Sequence, residues 1–540
     1  GATFPAHDPP VVGRFRSPIP SPPMIASPPA AMNGRDGLPL LTRAEMRAWD
    51  RYAMEARGIP ERVLIESAGR AAAAVVARHF PAGRVVGVVG GGNNGADAIV
   101  LLRTVAAWGR EVALIQAGDR AADPALLHGW EVEVIPPERA GVALREAGVV
   151  VDGILGTGAR GCPRPDQAAL IAEIIASGRP VVALDAPSGV DMDTGRAVGA
   201  AVRAELTVTF GAPKRGLLLF PGRALAGRIV VVEVGFPPLP EGGAGGWVVT
   251  REWARRRLPR LPPEAHKGMM GTVSILAGHA GMAGAAVLAG MGAARAGAGK
   301  VRLASVPENR IILQSGIPEA LFLDRSREGI ERTLADSDAL VAGPGMGSDK
   351  EDGRLLARIV SIGEIPLLLD ADALTLLSEN PTLRDTIHRP LLLTPHPGEM
   401  ARLLDCGVTE VTSDPFAAAE RAVERFRCAV LLKGRPSLVA ASGAPTLLVT
   451  AGHAGVATGG MGDTLAGVAG ALLAMGTPPR EAGALALYLA GRAAEIAGRG
   501  RSLLPRDVAE ALPLAFAELE GDAVGSDLHS EVVLDLAPAY

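Results

Sequence analysis

A chain of 540 residues is too long for one ordinary domain and predicts three or four units, or two if each is a large α/β domain. A formal net charge of −4 excludes a dedicated nucleic-acid binder, while 48% apolar residues, 68 glycines and only 3% aromatics predict interiors packed closely from Ala, Val and Leu. Cys162, Cys406 and Cys428 form no CxxC pair or disulfide framework, and nine scattered histidines offer no zinc spacing, so a reducing, cytoplasmic setting is expected. Residues 1–38 are proline-rich and lack hydrophobic periodicity, which predicts a disordered arm without a secretory h-region. Residues 41–80 are helical in pattern, with Thr42 and Glu45 at capping-box spacing and a break at Gly58-Ile59-Pro60. The short apolar run 85–89 reads as a buried strand that empties into residues 90–97, GGGNNGAD; a helix over 98–108 and a strand over 112–115 complete a βαβ unit.

The same pattern of strand, loop and helix recurs. Strands are expected at 149–152, 181–184 and 206–210, and ligands of such sheets collect at the carboxyl ends of the strands. Asn94, Asp152, Asp185, Ser188 and Lys214 fall at such ends. Amide, carboxylate and hydroxyl oxygens suit an alkali or alkaline-earth cation, and Asp185 with Lys214 could exchange protons. Singly, each of these residues reads as a helix cap or a solvated charge. Residues 236–246, FPPLPEGGAGG, read as the linker between two units.

In the second half, strands are expected at 272–276, 300–304, 339–342, 367–369, 391–393 and 429–432, each running into a polar or glycine-rich loop, and a last helix over 481–496. The weakly charged run 277–294 reads as a buried loop and helix, not a membrane span. Residues 451–467, AGHAGVATGGMGDTLAG, place Asp463 after a glycine turn at the start of an apolar helix. Amides at such a helix start suit an anion, whereas an aspartate there either caps the helix or acts as a base beside the anion. His396 alone reads as a structural histidine and Lys433 as a surface charge. Residues 521–540 are weakly patterned and read as peripheral. The chain holds only five lysines and five asparagines, which directs attention to Lys214, Lys433 and the pair Asn93-Asn94.

Together these strings resemble the bifunctional NAD(P)H-hydrate repair enzymes. GGGNNGADAIV (90–100), DGILGTG (152–158), LDAPSGVDMDTG (184–195) and TFGAPKRGL (209–217) are similar to the epimerase domain. HKGMMG (266–271), GPGMG (343–347), DADAL (370–374), TPHPGEM (394–400), LLKGRPS (431–437) and TGGMGDTLAG (458–467) are similar to the ADP/ATP-dependent dehydratase domain. The resemblance implies two three-layer α/β/α domains, a Rossmann-like one over 39–240 and a ribokinase-like one over 247–518, followed by a tail over 519–540.

It also implies the site residues. Potassium is expected at Asn94, Asp152 and Ser188. The hydrates NADHX and NADPHX are expected against Asn93, Asn94, Gly95, Ala96 and Asp97, against Gly156, Thr157, Gly158, Ala159, Arg160, Gly161 and Cys162, and against Asp185. Asp185 and Lys214 are the expected proton-transfer pair. In the second half, Ala285, Gly345, His396 and Asp463 are expected to touch the hydrate, with Asp463 as the base. Lys433, Gly434, Arg435, Pro436, Ser437 and Gly462 are expected to bind ADP or ATP with magnesium. A homo-oligomer without nucleic-acid or membrane partners is implied as well. The chain departs from the pattern at Ala96 and Ala98, where glycines are usual, at His453, where asparagine is usual, and at the turn 278–281. The competing reading is a ribokinase-like small-molecule kinase fused to a non-catalytic nucleotide- or cation-binding module.

Overall fold

The computed structural model describes residues 37–118, 124–159, 161–197, 199–261, 263–521 and 532–538. The arm expected over 1–38 therefore lies almost wholly outside the described residues.

Continuous valine runs make strands that are buried on both faces, as parallel sheets require. Val85–Val89 is central to an eight-stranded sheet. Its strands run in the order Val532–Leu536, Arg228–Val232, Leu206–Phe210, Val181–Leu184, Val149–Gly153, Val85–Val89, Val112–Gln116 and Glu133–Ile135. All pair in parallel except Val532–Leu536, which runs antiparallel to Arg228–Val232. Side chains alternate across a strand. Val85 and Val89 thus pack on helices Glu61–His79 and Asn93–Ala107, and Val86 and Val88 pack on Ala140–Glu146 and Pro165–Ser177. The result is three layers.

The second sheet has eleven strands, from Leu38–Leu40 at one edge to Leu321–Asp324 at the other. Val273, Ile275 and Val341 face helices Ala283–Arg295, Met461–Ala474, Pro479–Ala497 and Pro505–Glu520. Leu276, Leu340 and Leu369 face Lys350–Ser361 and Ala371–Glu379. The small residues of the sequence are what let the inner helices touch. A Cβ on Gly467 would lie 1.9 Å from the Ala289 carbonyl oxygen, and one on Gly292 would lie 2.3 Å from that of Thr464.

The structure differs from the sequence reading in four places. The helix expected from Ala98 begins at Asn93, so Asn93 to Asp97 form its first turn and are not a loop. Among the described residues Pro505–Glu520, not the expected helix over 481–496, is the last helix. Two short segments fall outside the division drawn at residues 39 and 519. Leu38–Leu40 pairs with Gly246–Val248 in the second sheet, and Val532–Leu536 closes the edge of the first. The Pro/Gly segment after residue 236 is packed: Phe236 stacks on Trp49 at 4.6 Å between ring centroids, and Leu239 and Ala244 are buried. A shared apolar cluster joins the halves, with Ala186, Leu217 and Ile229 against Met400, Phe416 and Leu438.

Candidate functional sites at the two strand-end rims

The first rim begins where Val85–Val89 turns into helix Asn93–Ala107. Glycine is required there because a Cβ on Gly95 would meet the Gly90 carbonyl oxygen at 1.9 Å. That close fit buries Asn94, whose Nδ2 donates to the Leu155 carbonyl at 2.9 Å while its buried Oδ1 has no hydrogen-bond partner among the described residues. On the adjacent strand Asp152 is fully buried. Its Oδ1 accepts from the Ser188 hydroxyl at 2.6 Å and its Oδ2 from the Ser188 amide at 2.8 Å. Burial pushes the Asp152 carboxyl up to about 6, against the lowering effect of the Ser188 bonds.

Asp185 follows Val181–Leu184 with φ of 61°, a left-handed conformation that few non-glycine residues adopt. The turn aims its carboxylate across the rim. Oδ1 accepts a short bond from Lys214 Nζ and one from the Thr209 hydroxyl at 3.2 Å, and Oδ2 accepts from the Thr157 amide at 3.3 Å. Lys214, 1% exposed, also donates to Thr209 Oγ1 and to the Phe210 carbonyl, each at 3.0 Å. All three ammonium protons are thereby engaged. Asp97 is buried nearby; desolvation first, and then the Asp185 charge, hold its carboxyl well above the usual range.

The second rim is formed by the strands Leu367–Leu369, Leu391–Leu393 and Ala429–Leu432 and by the start of helix Met461–Ala474. Lys433 Nζ donates to Asp370 Oδ1 at 2.7 Å and lies 3.8 Å from Glu399 Oε2. Thr394 Oγ1 donates to the same Asp370 oxygen at 2.8 Å. Burial alone would lower the Lys433 ammonium, but Asp370 and Glu399 outweigh it and raise it. Gly460, at φ 86°, makes the turn that brings Asp463 onto the first helical turn beside this pair. Burial, then the Asp370 charge, push the Asp463 carboxyl up to about 7, with Lys433 opposing. His396 caps helix Pro397–Leu404: Nδ1 accepts from the amides of Gly398 at 3.0 Å and Glu399 at 3.3 Å. Ala285 packs under Gly345, where a Cβ would lie 3.0 Å from that of Ala285.

Each half therefore holds a lysine paired with an aspartate at a strand-end rim, and comparison with known proteins assigns both halves. Residues 61–216 match the model described as YjeF-related protein N-terminus, and residues 273–514 match the model described as NAD(P)H-hydrate dehydratase. The bifunctional NAD(P)H-hydrate repair enzyme Nnr of Moorella thermoacetica is 34% identical over 515 residues, covering 89% of this chain and 97% of its own. The chain belongs to the bifunctional NAD(P)H-hydrate repair enzyme family. Repair enzymes of the same name from Thermanaerovibrio acidaminovorans and Escherichia coli K12 are 36% and 35% identical, covering 98% and 88% of their own lengths and 88% and 84% of this one. Among solved structures, an ADP/ATP-dependent NAD(P)H-hydrate dehydratase from Bacillus subtilis co-crystallised with ATP/Mg2+ is 30% identical. The likeness covers 50% of this chain and 97% of that one, with a TM-score of 0.46.

For this member of the repair family, the structure gathers the sequence-derived residues in two groups. Asn94, Asp97, Asp152, Asp185, Ser188 and Lys214 share the first rim with the loop from Gly156, where Thr157 bonds Asp185. Asn93 is exposed and donates to Glu61 at 2.7 Å. Cys162 is exposed farther along that loop, and Arg160 lies outside the described residues. On the second rim, Asp463, Gly462 and Lys433 come together: a Cβ on Gly462 would lie 3.5 Å from Lys433 Nζ. Ser437 Oγ donates to the Gly434 carbonyl at 3.0 Å, folding the loop back on itself, and Gly434 and Arg435 are exposed. His453, one of the departures from the family pattern, caps a short turn by accepting from the Gly455 amide at 3.0 Å.

Sequence reasoning had no site role for Thr209, Asp370, Asp372, Thr394 or Glu399. Asp370 and Thr394 directly follow strands of the second sheet, and Thr209 lies one residue before the end of Leu206–Phe210 in the first; that position was the available signal. Asp372 Oδ2 accepts from the Gly347 amide at 3.0 Å, tying the GPGMG turn to the same rim.

Proposed function

We propose that the chain repairs hydrated NADH and NADPH in two steps, one at each rim. The first rim interconverts the R and S epimers of NADHX and NADPHX. The second converts the S epimer to the reduced nucleotide at the expense of ADP or ATP. The observation that supports this best is the half-buried Asp463, raised to about 7 at a glycine-turned helix start beside Lys433 and Asp370. A helix cap has no need of such surroundings; a base working near neutrality does.

At the second rim, Asp463 takes the proton of the hydrate's hydroxyl as that oxygen attacks the terminal phosphorus of the nucleotide, whose bridging P–O bond breaks to release AMP from ADP or ADP from ATP. Lys433 and the first amides of helix Met461–Ala474 offset the charge that develops there. Magnesium carried with the nucleotide would neutralise phosphate charge during the transfer. The carboxylate of Asp370 is the donor that suits it, with one oxygen toward the glycine turn, 3.8 Å from a Cβ placed on Gly462. The C–O bond then breaks with its electrons leaving on inorganic phosphate, and water takes the proton of the neighbouring ring carbon as the double bond is restored.

At the first rim, Asn94, Asp152 and Ser188 would hold potassium. The donors fit, since Asn94 Oδ1 is buried without a partner beside a carboxylate and a hydroxyl. A monovalent cation there offsets buried carboxylate charge and anchors an anionic ligand. Asp185, held by Lys214, Thr209 and Thr157, serves as the proton acceptor, and the helix start at Asn93 and the loop at Gly156 enclose the nucleotide. A cytoplasmic setting agrees with three free cysteines, and no helix among the described residues is long and apolar enough to cross a membrane. Assembly into a homo-oligomer is part of the same reading.

Asp463→Asn tests it. The variant should lose nucleotide-dependent recovery of NADH from purified S hydrate by about 100-fold or more, while still interconverting the epimers. Recovery at the parent rate would remove Asp463 from the chemistry.

A further inference from the structure

Of the pair expected to exchange protons at the first rim, Lys214 is fully engaged. Epimerisation needs a group that gives a proton to the departing oxygen and a group that takes one from the incoming water. Asp185 can accept, but all three protons of Lys214 are held by Asp185, Thr209 and Phe210. Among the described residues, the carboxyls within reach of Asp185 that remain are Asp97, buried in the first turn of helix Asn93–Ala107, and Asp50 on another helix.

Helix Arg43–Arg51 supplies a candidate that no motif marked. The helix is fixed tightly over the rim. The Leu41 amide donates to the Pro213 carbonyl at 3.1 Å and the Arg215 amide to the Leu41 carbonyl at 2.8 Å, which ties the helix entry to both neighbours of Lys214. Trp49 is buried and donates to the Pro237 carbonyl at 2.9 Å. One helical turn apart on one face stand Arg47 and Asp50. Arg47 reaches the Gly158 carbonyl at 3.3 Å, in the loop expected to line the ligand. Asp50 lies within electrostatic reach of Arg47 on its own helix, Glu61 at the next helix start, and Asp185 and Lys214 on the rim, and Asp97 in turn lies within reach of Asp50. Its half-buried carboxyl makes no side-chain hydrogen bond to protein among the described residues, unlike Asp152 and Asp185.

We propose that Asp50 is the proton-donating carboxyl of the first site and touches the hydrate's hydroxyl. The proposal rests on the reading of this rim as the epimerising one. Water added across an enamine double bond leaves the hydroxyl on the carbon bonded to the ring nitrogen. The Asp50 carboxyl gives its proton to that oxygen, the C–O bond breaks with its electrons leaving on water, and the nitrogen lone pair forms a C=N bond. Water then adds to the opposite face and yields its proton to the Asp185 carboxylate. Solvent returns that proton to Asp50, so atoms and charge balance over the cycle. Burial raises the Asp50 carboxyl to about 6, with Lys214 opposing and Asp185 and Glu61 reinforcing. The protonated donor is therefore present below about 6 and is depleted as pH rises through it.

The test uses the full chain in potassium buffer without nucleotide, with the epimers separated chromatographically. Asp50→Asn should slow interconversion by about 100-fold or more and abolish the decline in rate above about pH 6. Dehydration of purified S hydrate with ATP should be unchanged, which shows the chain is folded, and Asp50→Glu should recover part of the rate. The proposal is overturned if Asp50→Asn keeps the parent rate and pH profile. It is also overturned if the rate is lost together with S-hydrate dehydration and Asp50→Glu recovers neither. Should Lys214→Ala also interconvert the epimers at the parent rate, the fault lies with the reading of the rim and not with Asp50 alone.

Discussion

Two of the five lysines, Lys214 and Lys433, meet aspartates at the two rims, and their surroundings give them different tasks. Lys214 is sealed in and satisfied by three acceptors, which suits holding a carboxylate in place. Lys214→Ala leaves Asp185 buried without its partner, a loss that costs about 3–5 kcal/mol in comparable pairs. The folded fraction of that variant should lose epimerisation and keep nucleotide-dependent dehydration of the S epimer. An unchanged epimerisation rate would favour a first half that only binds. Lys433 instead shares its rim with a second, half-buried aspartate. Asp463 must be ionised to act as a base, and its carboxyl is raised to about 7. The dehydration rate should therefore climb as pH rises through about 7 and level off above it, and a rate flat between about pH 6 and 8 would contradict that role.

Among the elements, the interior strands were legible because parallel strands buried on both faces read as unbroken Val or Leu runs. Residue-level placement at their ends followed from that alone, which is how Asp152, Asp185 and Lys214 came to one rim. The start of helix Asn93–Ala107 was not legible: three glycines suggested a longer loop, whereas the helix begins at the first asparagine. Asp50 was missed for a related reason. It lies on an ordinary amphipathic helix, and only the docking of Leu41 and Trp49 turns that face toward Lys214. The contact between Ala283–Arg295 and Met461–Ala474 depends on glycine as a spacer. Gly467→Ala would place a methyl 1.9 Å from a backbone oxygen that no side-chain rotation can move. A loss of about 3 kcal/mol is expected, read as a lowered unfolding midpoint in denaturant. An unchanged midpoint would mean that the helices separate without penalty.

At the scale of the whole molecule, two sheets share a chain that crosses between them at both ends. Leu38–Leu40 and Val532–Leu536 escaped the sequence reading because the partner of each is distant in sequence. The first carries Pro39 and no alternation to mark it. With the cluster around Phe416 and Leu217, these crossings fix one half against the other and leave the two rims on one body. The two rims are proposed to work in series on one substrate. The most direct measurement incubates the purified chain with a mixture of R and S hydrates and follows the absorbance of the reduced nicotinamide with ADP, with ATP and with neither. Both epimers should be recovered to completion, dependent on nucleotide. Recovery that stops at the S fraction would contradict an epimerising first half, and no recovery with either nucleotide would contradict repair altogether.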